Sequence, residues 1–165
     1  MKVYVKDREV PYKNTKIKAL DSKRDIDGLL AKWGVKKVAW TWDPSPEGNV
    51  ELRFQFKEVV DGVEVHPVIA ITCPSIWNKA SRSRKYRRDA VNWRVSMRVL
   101  FWYIKSHLEH AYLMSSTKTT EFLPHIEIPS LEGQPTKLKD IIIPRMDQLK
   151  NIKALPQIEK VPQEA

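Results

Sequence analysis

The sequence predicts an α+β fold: an antiparallel sheet of about four strands, a short N-terminal helix, a long helix over about 86–113 and a C-terminal helix packed on it. Three observations predict it. Val50, Leu52, Phe54 and Phe56 alternate with Glu51, Arg53, Gln55 and Lys57, the period of two of a half-buried strand. Asp61-Gly62 follows as a hairpin turn, so the neighbouring strands are antiparallel. Residues 86–113 contain neither Gly nor Pro, and Ala90, Trp93, Met97, Leu100, Phe101, Ile104, Leu108 and Ala111 recur at helical spacing.

The elements follow in order. Residues 1–20 alternate charged and apolar character around Pro11, which predicts one or two short strands, one of them near Thr15 to Leu20. Asp21-Ser22 reads as a helix start and Gly34 as its stop, with Ile26, Leu29, Leu30 and Trp33 on one face. A strand carries Val38, Trp40 and Trp42, the alternating strand follows, and Val63, Val65, Ile69 and Ile71 make the next, ending at Cys73-Pro74. Phe54 and Phe56 are read as core, because the face opposite them is polar. After the long helix, Pro124 and Pro129 interrupt an apolar patch, and Lys137 to Leu149 reads as the last helix, broken by Pro144. Residues 1–149 are read as one domain and 150–165, with Pro156 and Pro162, as a flexible tail.

Composition removes several function classes. The chain of 165 residues has a single cysteine, Cys73, which excludes a disulfide framework and a multi-cysteine zinc site and points to a reducing compartment. No apolar run approaches a membrane span, and the N-terminus carries no apolar signal core, so an intracellular setting without membrane partners is expected. Neither a P-loop nor a dinucleotide-binding glycine motif occurs. Five glycines, 11 prolines and abundant Lys and Glu fit a thermophilic source. Lys and Arg outnumber Asp and Glu by 29 to 20, a net charge of +9, which favours an anionic partner such as nucleic acid.

The densest chemical signal is Lys79-Ala80-Ser81-Arg82-Ser83-Arg84-Lys85-Tyr86-Arg87-Arg88, six cations in ten residues. Cations at this spacing repel one another, and phosphates would relieve that repulsion with release of counterions. Arg87 and Arg88 also fall at the start of the predicted long helix, where positive charge opposes the helix dipole. Trp77 and Tyr86 flank the cations and offer faces on which unpaired bases stack. Further along, Arg87, Arg94, Arg98 and Lys105 are spaced by 7, 4 and 7 residues and align along one helix line beside Trp102. Arg53 and Lys57 add cations on the polar face of the sheet. The candidate nucleic-acid-binding set is therefore Trp77, Lys79, Arg82, Arg84, Lys85, Tyr86, Arg87, Arg88, Arg94, Arg98, Trp102, Lys105, Arg53 and Lys57.

Other signals are weaker. Val91, Val95, Val99 and Trp102 form a second apolar ridge on the long helix, which predicts a further packing partner, with a homodimer as one solution. His107 and His110 stand at i, i+3, with His125 later, but no third metal ligand is identified, and they read as surface histidines. Asp21, Asp25 and Asp27 read as capping and dipole partners of the first helix. Cys73, at the end of an apolar strand, reads as buried and inert. No catalytic residue, metal or cofactor is assigned, and an enzyme is not expected.

Three stretches carry a resemblance: Ile26 to Val38, Asn92 to Glu109 with its Trp93-Arg94 and Ile104-Lys105 pairs, and Thr120-Glu121-Phe122-Leu123-Pro124-His125-Ile126. Together they resemble a family of small proteins encoded by tailed phages, to which no activity is attached. The resemblance implies a phage or prophage source and a host-cytoplasm setting. The leading functional expectation is a phage protein of DNA replication or recombination that binds single-stranded nucleic acid, DNA in preference to RNA, with little sequence specificity. The competing expectations are a protein-binding phage factor that inhibits or redirects a host protein, such as a defence protein, favoured by the second helix ridge, and, weakest, a metal-dependent nuclease.

Overall fold

The computed structural model of the chain describes residues 2–7, 9–43, 45, 48–60, 62–80, 89–128 and 136–142. Its centre is an antiparallel sheet in the order β2-β3-β6, built from β2 (Lys37–Trp42), β3 (Val50–Gln55) and β6 (Val68–Thr72). The register sets Phe54 opposite Val38 on one side and Ile69 on the other, and Leu52 opposite Trp40 and Ile71. The predicted alternation holds: Val50, Leu52, Phe54 and Phe56 are buried and face two helices. A separate hairpin, β4 (Glu58–Val60) with β5 (Val63–Val65), leaves the sheet between β3 and β6, with Gly62 at φ 80° beside the pair Val60 and Val63.

Helix α1 spans Ala19–Lys32 and begins earlier than predicted, so residues 19 and 20 belong to a helix and not a strand. The buried stripe explains this. Ser22, Ile26 and Leu30 recur every four residues, and Ser22 carries the packed face one turn further toward the N-terminus. Leu20, which suggested a strand, is exposed. Helix α2 spans Trp93–Leu113 and starts later than the expected 86. Asn92 supplies the start signal: its side chain accepts the Val95 N–H at 3.3 Å, an N-cap bond, and the two residues before it are extended as β8 (Ala90–Val91). Met97, Leu100, Ile104 and Leu108 of α2 are buried against Ile26, Leu30 and the sheet. Phe122, fully buried, meets Phe54 edge-on at 5.5 Å, so the short segment after α2 closes one end of the core.

A second, smaller sheet runs β1-β7-β8, with β1 (Val3–Tyr4) parallel to β7 (Ile76–Asn78) and β7 antiparallel to β8. Below it lies a second apolar cluster of Val10, Ile76 and Val95, with Val5 and Val99 against it. This cluster answers the question of the second ridge on α2. Val91 and Val95 are buried, and Trp102 stacks with Tyr12 at 5.8 Å and 10° between planes. The N-terminal segment covers Val95, Val99 and Trp102 within one chain, so the homodimer read from Val91, Val95, Val99 and Trp102 loses its premise.

After α2 come α3 (Lys118–Glu121), a 3-10 turn (Leu123–His125) and the pair β9 (Glu127–Ile128) and β10 (Thr136–Lys137). The described part of the last helix, α4 (Leu138–Ile142), lies against the 3-10 turn. The expected tail, 150–165, lies outside the described residues. No helix among the described residues is long and apolar enough to cross a membrane.

Candidate nucleic-acid interface

The basic segment connects the two strands of a hairpin. Trp77 pairs with Val91 and Asn78 with Ala90, so β7 leads into residues 79–89 and β8 leads out. Asn92 Nδ2 donates to Asn78 Oδ1 at 3.2 Å beside this ladder. Asp89 closes the base. Its Oδ1 accepts the Ala80 N–H at 2.8 Å, and its Oδ2 accepts the Tyr4 hydroxyl at 2.8 Å with Lys2 Nζ at 3.6 Å. The Ala80 amide is the largest influence holding the Asp89 carboxyl below its ordinary range, followed by the Tyr4 hydroxyl. The same bond raises the Tyr4 phenol. One carboxylate thus ties the entry of the basic segment, its exit and the N-terminal strand together.

Trp77 is half-buried in β7 and Lys2 Nζ lies 4.1 Å from the centre of its ring, a cation–π contact. Lys79 is exposed just after the strand. Arg94 is exposed in the first turn of α2, which holds no acidic residue, so the cost of positive charge at a helix start falls on Arg94. Arg82, Arg84, Lys85, Tyr86, Arg87 and Arg88 lie outside the described residues. Because α2 begins at Trp93, Arg87 and Arg88 do not occupy its first turn, and the expected opposition of their charge to the helix dipole does not arise there.

The remaining candidates are drawn into the fold's own interactions. Arg98 reaches Asp25 of α1 at 2.9 Å, with its side chain only 14% exposed and its guanidinium over Phe101 at 4.3 Å. Lys105 meets Glu109 at 3.5 Å and lies over Trp102 at 4.7 Å. With Tyr12 stacked on it and two cations beside it, Trp102 is a packing residue of the N-terminal segment. Arg53 sits between Glu51 at 3.0 Å and Glu127 at 3.2 Å, and Lys57 pairs with Glu64. The helix line of Arg94, Arg98 and Lys105 is therefore not a continuous cationic ridge, since Asp25 and Glu109 neutralise two of its members. Sequence reasoning missed Lys2, Tyr4 and Asp89. The one local signal was an acidic residue directly after Arg87-Arg88, but its partners at positions 2 and 4 are more than 80 residues away in sequence.

Other chemistry is sparse. Cys73 is buried beside Met97, and burial pushes its thiol up to about 12, as expected of an inert cysteine. Among the described residues no group of three His, Cys, Asp or Glu side chains is placed to hold a metal ion. His107 is stacked on Phe122, His110 pairs with Glu121 at 2.9 Å and His125 meets the Tyr103 hydroxyl. No protein-family model matches the chain, and no curated protein or solved structure matches it.

Proposed function

We propose that this protein binds single-stranded nucleic acid, DNA in preference to RNA, through the hairpin connection between β7 and β8. The observation that carries the reading is the placement of six cations in ten residues, Lys79 to Arg88, on one connection whose two ends are tied by Asp89 beside the half-buried Trp77. Lys79, Arg82, Arg84, Lys85, Arg87 and Arg88 supply the electrostatic capture, and Arg94 extends it onto the first turn of α2. Trp77 and Tyr86 supply stacking, which selects unpaired bases because a duplex hides their faces. Arg53, Lys57, Arg98, Lys105 and Trp102 leave the site, since each already has an intramolecular partner. The resemblance to tailed-phage proteins supports a role in phage DNA replication or recombination in the host cytoplasm.

The test is a titration with single-stranded and duplex oligonucleotides at two salt concentrations. Expected are tighter single-strand binding and a steep fall with salt. Absence of binding at low salt overturns the reading, and a preference for duplex removes the stacking part of it.

A further inference from the structure

Among the described residues, the outer edge of β2 is the longest unpaired stretch of backbone in the central sheet. Among the described residues β2 pairs only with β3. Asp43 donates its N–H to Asn49 O on the β3 side. Successive residues of a strand turn their backbone groups to opposite edges, so Thr41, Ala39 and Lys37 also face β3, and Val38, Trp40 and Trp42 face outward. Within the strand, three devices that blunt an edge are scarce or missing. Its six residues contain no proline, its ladder with β3 has no bulge, and its only charge, Lys37, stands at the end. Val38 is 37% exposed, and Trp40 and Trp42 are only half-buried.

We infer that β2 pairs antiparallel with β2 of a second copy, in a register centred on Trp40. A two-fold axis normal to the sheet preserves its faces, so paired residues come from the same face of each copy. Centred on Trp40, the outward-facing residues meet in hydrogen-bonded pairs: Trp40 with the other Trp40, and Val38 with Trp42 in both directions. All three lie on the helix side, where Phe54, Leu52 and Val50 oppose them across β3. On the other face Ala39 meets Thr41 and Lys37 meets Asp43, so the single charge within the strand finds an opposite charge twice. Two neighbouring three-stranded sheets thus become one of six strands. This pairing uses neither the α2 ridge nor the basic hairpin, and it stands apart from the nucleic-acid reading.

Sedimentation equilibrium of the full chain tests it. Expected is a concentration-dependent dimer in the micromolar range; a monomer throughout that range overturns the inference. Val38→Pro deletes an outward N–H while sparing the bonds to β3, and it should weaken the dimer about tenfold or more. A folded Val38→Pro variant that dimerises like the parent overturns the proposal. Should that variant fail to fold, Lys37→Asp provides the independent arm: it should weaken the dimer, and adding Asp43→Lys should restore it. Register is read by cross-linking. Ala39 and Thr41 face each other as a non-hydrogen-bonded pair, about 4.5 Å between Cα atoms, within disulfide reach. The double variant Ala39→Cys/Thr41→Cys should form an interchain disulfide on mild oxidation, and Ala39→Cys alone should not. Equal cross-linking by the single variant overturns the register centred on Trp40.

Discussion

The Tyr103 hydroxyl lies 2.7 Å from Nε2 of His125, joining α2 to the segment that closes the core. The Ala70 backbone on β6 is the one influence that favours the protonated ring, and it is the smallest of those acting on it. Burial first, then Lys139, Lys137 and His107, lowers the His125 pKa from 6.5 to about 4. The native state therefore keeps this ring neutral where the unfolded chain protonates it. Its contribution to stability is complete above pH 6.5, is lost as pH falls from there toward 4, and changes no further below. Denaturation across that window should show the parent losing stability more steeply than His125→Gln. Parallel slopes would exclude the role.

Asp89→Ala should loosen the base of the basic hairpin without removing a cation. The Ala80 amide, which Asp89 covers, should exchange its hydrogen at least about an order of magnitude faster. The salt dependence of oligonucleotide binding should keep its slope, because the number of phosphate contacts is unchanged. Unchanged exchange at Ala80 would dismiss the clamp.

Replacing Arg84, Lys85, Arg87 and Arg88 together by Ala should weaken binding to every sequence. Each lost phosphate contact should flatten the single-strand salt slope by roughly 0.7. A correctly folded variant with the parent's affinity and slope would remove the basic segment from the site.

Trp77→Ala should lower single-strand affinity by about 1–3 kcal/mol and leave duplex affinity nearly unchanged. Lys2 lies over the indole, so Lys2→Ala should uncover the ring and deepen the fluorescence quench by single strands. Equal losses on both substrates in Trp77→Ala would make Trp77 a residue of the β7 ladder alone.

Tyr12→Ala should uncover Trp102. Red-shifted tryptophan emission and a lower melting temperature are expected. The lost stacking accounts for about 0.5–1.5 kcal/mol beyond the buried area. Unchanged emission would contradict the assignment of Trp102 to packing.

Where one face of an element is buried, the fold was legible in the sequence. β3 and the α2 stripe from Trp93 to Ala111 follow the predicted pattern, because burying one face forces a period of two or of 3.6 on the apolar residues, whereas Ala90, expected on the same stripe, lies in β8. The start of α2 was misread because the absence of Gly and Pro permits a helix but does not begin one, and Asn92 was the positive signal. The second ridge was recognised as needing cover, yet nothing local to α2 shows that Val10 and Tyr12 supply it. The candidate site divided the same way. A cation run is visible in one dimension, whereas the partners of Arg98 and Arg53, Asp25 and Glu127, are more than 70 residues away in sequence.

The parallel pairing of Val3 with Ile76 has a kinetic consequence. Parallel neighbours cannot be joined by a tight turn, and α1 and the central sheet lie between these two strands. Bringing the chain's first strand to its seventh closes a loop of that whole length, a cost rewarded only after the intervening elements have condensed. The N-terminal strand should therefore lock last and open first. Destabilising changes at Val3 or Tyr4 should then accelerate unfolding and leave the folding rate nearly untouched.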